Sequence, residues 1–182
     1  MENQSASISK AAMTFGLYLG LALVLNSVIF YVAGAPFSEV SGYISYIIII
    51  AGLSLGMWSF GKSTGSEGFP YGKVLGLGVL QSLFASILIA FFTFVLYQFI
   101  DPGLIDKLMA FTEEKLLSRG AMNEDQVEAA LSMSKKMMTP GIMAFSQVFS
   151  LTLMGTIFSL ILAIFFKKKP ADPFFEVKSD GE

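Results

Sequence analysis

The chain has 182 residues, a formal net charge of -2, 54% hydrophobic residues, and neither cysteine nor histidine. That composition leaves no disulfide, no zinc or haem site on the usual ligands, no thiol nucleophile and no imidazole acid or base, so no cofactor, metal or catalytic residue is expected. The charge is too small to suit nucleic acid, and the length suits one unit without a separate soluble domain.

No Asp, Glu, Lys or Arg lies between Lys10 and Glu39, Glu39 and Lys62, Lys73 and Asp101, or Lys136 and Lys167. A hydrocarbon core about 30 Å thick requires about 20 residues of helix at about 1.5 Å each, and every one of these windows is long enough. Four membrane spans are therefore expected. The first, Ala11 to Gly34, ends on Gly34-Ala35-Pro36, because proline cannot continue a helix and biases the residue before it away from helical geometry. Ala33-Gly34-Ala35 resembles a signal-cleavage site, but Glu2 precedes the lone Lys10 and the apolar stretch exceeds a signal core of about 7 to 15 residues. The span is expected to be retained.

Span two, about Tyr43 to Phe60, carries Ile47-Ile48-Ile49-Ile50, a β-branched run that would favour a strand in water. In lipid the backbone must satisfy its own hydrogen bonds, and helix is expected. A glycine-rich loop, 61–73, leads to span three, about Tyr71 to Ile100.

From Asp101 to Thr139 charges of both signs are interspersed, and this stretch is expected in water as an amphipathic helical hairpin. Its first helix opens at Asp101-Pro102, presents Leu104, Ile105, Leu108, Phe111 and Thr112 on one side, and stops at Gly120. The second has an explicit start: Asn123 as N-cap, Gln126 completing a capping box, and Met122 opposite Val127 as a hydrophobic staple. Val127, Leu131 and Met138 share its apolar face. Thr139-Pro140 then opens span four, which runs to Phe166. The fold expected is all-α and integral to the membrane: one domain over 1–170, including the hairpin 101–139, followed by a polar, disordered tail at 171–182.

Lys10, Lys62, Lys73 and the run Lys167, Lys168 and Lys169 fall on one side of a four-span chain, while the first loop has no Lys or Arg. The positive-inside rule places both termini in the cytoplasm, with the final lysines at lipid headgroups. Trp58, Phe60, Phe69 and Tyr71 are expected to anchor that edge, and Phe37, Tyr97 and Phe99 the other.

Inside the spans the polar side chains that stand out are Asn26, Gln81, Gln98 and Gln147, with nothing ionisable. Intramembrane charges mark ion paths and proton relays, so their absence weighs against a proton-coupled pump. The amides suit interhelical hydrogen bonds or a cleft lined by Asn26, Gln81 and Gln147, and packing is the commoner use. Gly16 and Gly20, Gly52 and Gly56, and Gly72 and Gly76, with Gly78 nearby, have the four-residue spacing that lets helices approach closely. Such packing suits contacts within the subunit ahead of a homo-oligomer. Gly56 to Ser63 formally satisfies GxxxxGK[ST], but a hydrophobic helix cannot form the anion-cradling loop, and no strand precedes it. Glu113, Glu114, Glu124, Asp125 and Glu128 lack calcium-loop spacing and suit a solvated helix face.

The order of spans, the Phe69-Pro70-Tyr71-Gly72 loop end, the Phe99-Ile100-Asp101-Pro102 close of span three, the Met122 to Glu128 segment, and Lys135-Lys136-Met137-Met138-Thr139-Pro140-Gly141-Ile142-Met143 before span four together resemble the bacterial domain of unknown function 4199 family of Bacteroidetes. The resemblance covers nearly the whole chain. It implies a small inner-membrane protein with no assigned activity or catalytic residues. The function expected first is a non-enzymatic accessory or scaffold subunit, in contact with membrane lipids and a membrane-protein partner or a second copy. A small lipid or solute carrier with a polar cleft between the spans is the alternative.

Overall fold

A computed structural model describes residues 2–65, 68–118, 120 and 123–169. The polar tail expected at 171–182, and Met122 of the expected staple, lie outside the described residues.

Six helices follow in order: α1 Glu2–Val32, α2 Glu39–Ser63, α3 Tyr71–Val95 with a π-helical turn Leu96–Ile100, α4 Leu104–Ser118, α5 Glu124–Met137 and α6 Pro140–Phe166. Among the described residues four segments are long and apolar enough to cross a membrane: Ile8–Val32, Glu39–Ser63, Tyr71–Ile100 and Pro140–Phe166. The isoleucine run 47–50 is helical throughout. α2 extends beyond the expected Tyr43 to Phe60 at both ends. Hydropathy measures what lipid tolerates, whereas a helix continues until its backbone is capped.

The helix ends have local chemical causes. α1 stops at Gly34, whose φ of 75° closes a Schellman motif in which the Ala35 amide donates to the Phe30 carbonyl at 2.9 Å. α3 ends through the turn in which the Asp101 amide donates to the Leu96 carbonyl at 2.8 Å, after which Pro102 has no amide to offer. At α5, the Gln126 amide donates to Asn123 Oδ1 at 2.9 Å while the Asn123 amide donates to Gln126 Oε1 at 3.2 Å. Thr139 Oγ1 accepts from the Ile142 amide at 3.3 Å and Pro140 follows at the first helical position. Replacing Asn123 by alanine is expected to cost about 1 kcal/mol locally. Hydrogen exchange over 124–137 measures it, and unchanged protection would count against the cap.

α3 is the central helix, packed along α1 on one side and α6 on the other; α2 leans chiefly on α1. These contacts are close because small residues face side chains or backbone. A Cβ on Gly16 would lie 2.7 Å from the Gln81 carbonyl oxygen, and one on Gly20 would lie 3.1 Å from the Ala85 carbonyl oxygen. Gly52 meets Leu19 at 2.8 Å, and Gly56 is pressed against the Gln81 amide. Gly72 and Gly76, expected as packing positions, instead have nothing within 4 Å of such a Cβ. The α3 positions that permit close approach are Gly78, against Ser159 and Met57, and the reciprocal Gly155 on α6 against Ser82. The four-residue spacing of Gly72 and Gly76 identifies one helix face, but α6 packs on another.

Candidate functional site

Apolar packing fills the bundle from the lysine end to its middle. Met57, Phe60, Phe69, Val74, Leu77 and Ala163 form one cluster, and Leu19, Leu53, Ala85, Ile89 and Leu151 the next. Phe60 and Phe69 are buried with ring centroids 5.2 Å apart, so they are core and not the interfacial anchors expected; Trp58 and Tyr71 remain exposed. The Phe69 and Lys168 backbones exchange two hydrogen bonds of 2.8 Å, and Lys168 Nζ donates to the Gly61 carbonyl at 2.9 Å. That ammonium, expected at lipid headgroups, ties the last turn of α2 to the end of α6. Lys167, Lys168 and Lys169 are all exposed. Gly56 to Ser63 is helical, which removes any phosphate-cradling loop there.

Toward the opposite end the four spans enclose a cavity of about 740 Å³, with walls from α1, α2, α3 and α6. Helical spacing places Ser41, Ser45 and Tyr46 of α2 along one wall and Ser146, Gln147 and Ser150 of α6 along another. Asn26, Ser27 and Tyr31 come from α1, Thr93 and Tyr97 from α3. The π-helical turn begins at Leu96, so both Leu96 and Tyr97 line the void where α3 departs from regular α-helix. Ser146 and Ser150 of the α6 wall are exposed.

Asn26 is only 7% exposed. Its Nδ2 lies 3.3 Å from the Ser41 carbonyl oxygen, 3.1 Å from Ser41 Oγ and 3.0 Å from Ser45 Oγ and shares its two hydrogens among these acceptors, joining α1 to α2. Gln147 is half-buried and its amide has no hydrogen-bond partner among the described residues. Gln81 does not line the cavity. It is fully buried below it, its Nε2 donating to the Gly52 carbonyl at 2.7 Å and its Oε1 without a partner. Gln98 is exposed on the π-helical turn. Of the three amides expected in one cleft, two meet there and the third is packing.

The hydroxyls of the cavity do not stand out in the sequence, where serine and threonine in a span read as ordinary polar tolerance. The available signal is spacing: Ser41 and Ser45, and Ser146 and Ser150, each recur four residues apart on a single helix face.

α4 and α5 contact each other, and Leu104, Ser134, Met137 and Met138 border the cavity's end. Ion pairs and rings fasten this region. Lys115 pairs with Glu39 at the start of α2, Lys135 with Asp106, and Phe111 stacks on Phe37 at 5.8 Å. Lys107 Nζ donates to Asp101 Oδ2 at 2.7 Å, and the Tyr31 hydroxyl donates to the same oxygen at 3.4 Å. The hydrogen bond from Lys107 holds the Asp101 carboxyl below the ordinary carboxylate range, and the same bond raises Lys107. These charges neutralise each other at the rim and leave the cavity itself lined by uncharged groups.

No curated protein and no solved structure matches the chain. Residues 14–168 match the family described as "Protein of unknown function (DUF4199)", a span that includes every cavity wall. The chain therefore belongs to the DUF4199 family.

Proposed function

We propose that this is a non-enzymatic protein of the bacterial inner membrane that holds one amphiphilic molecule in the cavity between α1, α2, α3 and α6. The observation that carries this is a void of about 740 Å³ that is free of charged side chains among the described residues and is lined by hydroxyls and amides together with Leu, Ile and Met side chains. Its size falls within the range of roughly 300–1,000 Å³ typical of small-molecule sites. Hydroxyls and amides suit a head group, and the apolar side chains of the same lining suit the start of a hydrocarbon tail. The accessory-subunit reading rests on the lack of a catalytic constellation and of charge within the spans, and the exposed apolar helix faces that would favour it are covered equally well by lipid chains.

Native mass spectrometry from lipid nanodiscs tests the reading. One retained lipid per chain is the expected result. Gly42 lines the cavity, and a Cβ there meets nothing within 4 Å, so Gly42→Phe is the variant chosen to add bulk at this wall. The variant is expected to fold and lose the adduct. A wild-type chain that retains no lipid, or a variant that retains it equally, overturns the reading.

In the same proposal both termini are cytoplasmic, and α4 with α5 forms an amphipathic hairpin at the outer surface. The lysine-rich end and the lysine-free first loop support that orientation. The chain has no cysteine, so Glu113→Cys supplies a single label. It is expected to react with an impermeant maleimide on intact spheroplasts; reaction only after lysis would reverse the topology.

A further inference from the structure

We infer that the cavity selects an uncharged, hydroxyl-bearing head group, with one ligand hydroxyl donating to Oδ1 of Asn26. The inference rests on the amphiphile-binding reading and adds the chemical class.

The orientation of the Asn26 amide is fixed by its neighbours. The Ser41 carbonyl can only accept, so the nitrogen must face it, as the 3.3 Å contact has it. All three contacts with Ser41 and Ser45 use that nitrogen. Oδ1 is then an acceptor with no hydrogen-bond partner among the described residues, on a side chain that is only 7% exposed and lines the cavity. That lone acceptor at the cavity wall can take a donor brought by the ligand.

The remaining walls narrow the class. Gln147, Ser146, Ser150 and Tyr97 also face the cavity without side-chain hydrogen bonds among the described residues. Each can donate, and each hydroxyl or amide oxygen can also accept, which matches groups that do both. No lining residue is Lys or Arg, as a phosphate would require, and none is Asp or Glu, as an ammonium would require. Asp101 and Lys107, beside the lining Tyr31, are engaged with each other, and Lys135, next to the lining Ser134, is paired with Asp106. An ionic head group would therefore lose hydration without gaining a counter-charge. Hydroxyls of a sugar or glycerol head lose hydration too, but find equivalent partners.

Nanodiscs containing equal amounts of dioleoyl monoglucosylglycerol and dioleoylphosphatidylglycerol present identical tails on the two classes of head. Native mass spectrometry of the released protein is expected to show about tenfold preference for the glucolipid. Asn26→Leu should reduce that retention about tenfold by removing the acceptor. Because Asn26 also ties α1 to α2, Gln147→Leu serves as the second variant; its amide makes no hydrogen bond among the described residues, and a fall in glucolipid retention is again expected. Equal retention of both lipids, preference for phosphatidylglycerol, or unchanged glucolipid retention in both variants overturns the inference while leaving the amphiphile reading intact. Retention of neither lipid overturns both.

Discussion

Gly16→Ile is expected to destabilise the bundle by about 3 kcal/mol, at the upper end of what overpacking of a well-packed core costs. A Cβ at this position would lie 2.7 Å from the Gln81 carbonyl oxygen and 2.7 Å from Phe84 Cβ. Neither obstacle is the free end of a flexible side chain. The carbonyl belongs to the backbone of α3, which is held from its other side by α6, so relief requires α1 to move away along much of its length. Gly76→Ile is the control. It imposes the same change in helix propensity on α3, but nothing lies within 4 Å of its Cβ. Unfolding in mixed micelles with increasing dodecyl sulfate should separate the two by at least about 2 kcal/mol. Equal stabilities would mean that the α1 and α3 helices are not packed backbone to backbone.

Gln81→Met is expected to raise stability by about 1 kcal/mol, although it removes an interhelical hydrogen bond. The bond from Nε2 to the Gly52 carbonyl is 2.7 Å long, and such bonds between membrane helices contribute about 0.6 kcal/mol on average. The same side chain carries Oε1 into a fully buried position with no partner, and an orphaned buried acceptor costs about 1–3 kcal/mol. The cost of the orphaned oxygen exceeds the gain from the bond and decides the sign. Gly52 loses little, because a carbonyl inside α2 keeps its partner within the helix. Methionine has nearly the shape of glutamine and enough flexibility to avoid Gly56. The same micelle titration measures the change. A loss of stability exceeding about 1 kcal/mol would show that Oε1 has a donor in the membrane, and would restore the amide as packing glue.

Asn26 and Gln81 read alike from the sequence, each an amide in an apolar stretch without neighbouring charge, yet they do opposite things. Asn26 is surrounded by serine oxygens on α2 and retains a free acceptor at the cavity. Gln81 lies where α2 presents glycines, so its amide is enclosed by backbone. The difference lies in the facing helix and not in the residue or its own neighbours in sequence. Lys168 makes the same point at the other end: its charge suits lipid headgroups, but the pairing of Phe69 with Lys168 brings the ammonium to the carbonyl of Gly61.

The sequence by itself determined the four spans, their order, the stops at Gly34 and Gly120, and the starts at Asn123 and Thr139. Each depends on a local rule: lipid cannot hydrogen-bond an open backbone, and a helix end is satisfied by groups a few residues away. Family membership was also legible, in motifs spread over most of the chain. Only the tertiary structure decided that Gly78 and Gly155 meet α6 and α3 while Gly72 and Gly76 face open space, that Phe60 and Phe69 are core, and that serines from α2 and α6 share one void with Asn26 and Gln147. Helical periodicity says which residues share a face, but the burial of apolar surface has no direction and does not say which face meets which. That depends on how all four helices pack at once, and the cavity is where their packing stops.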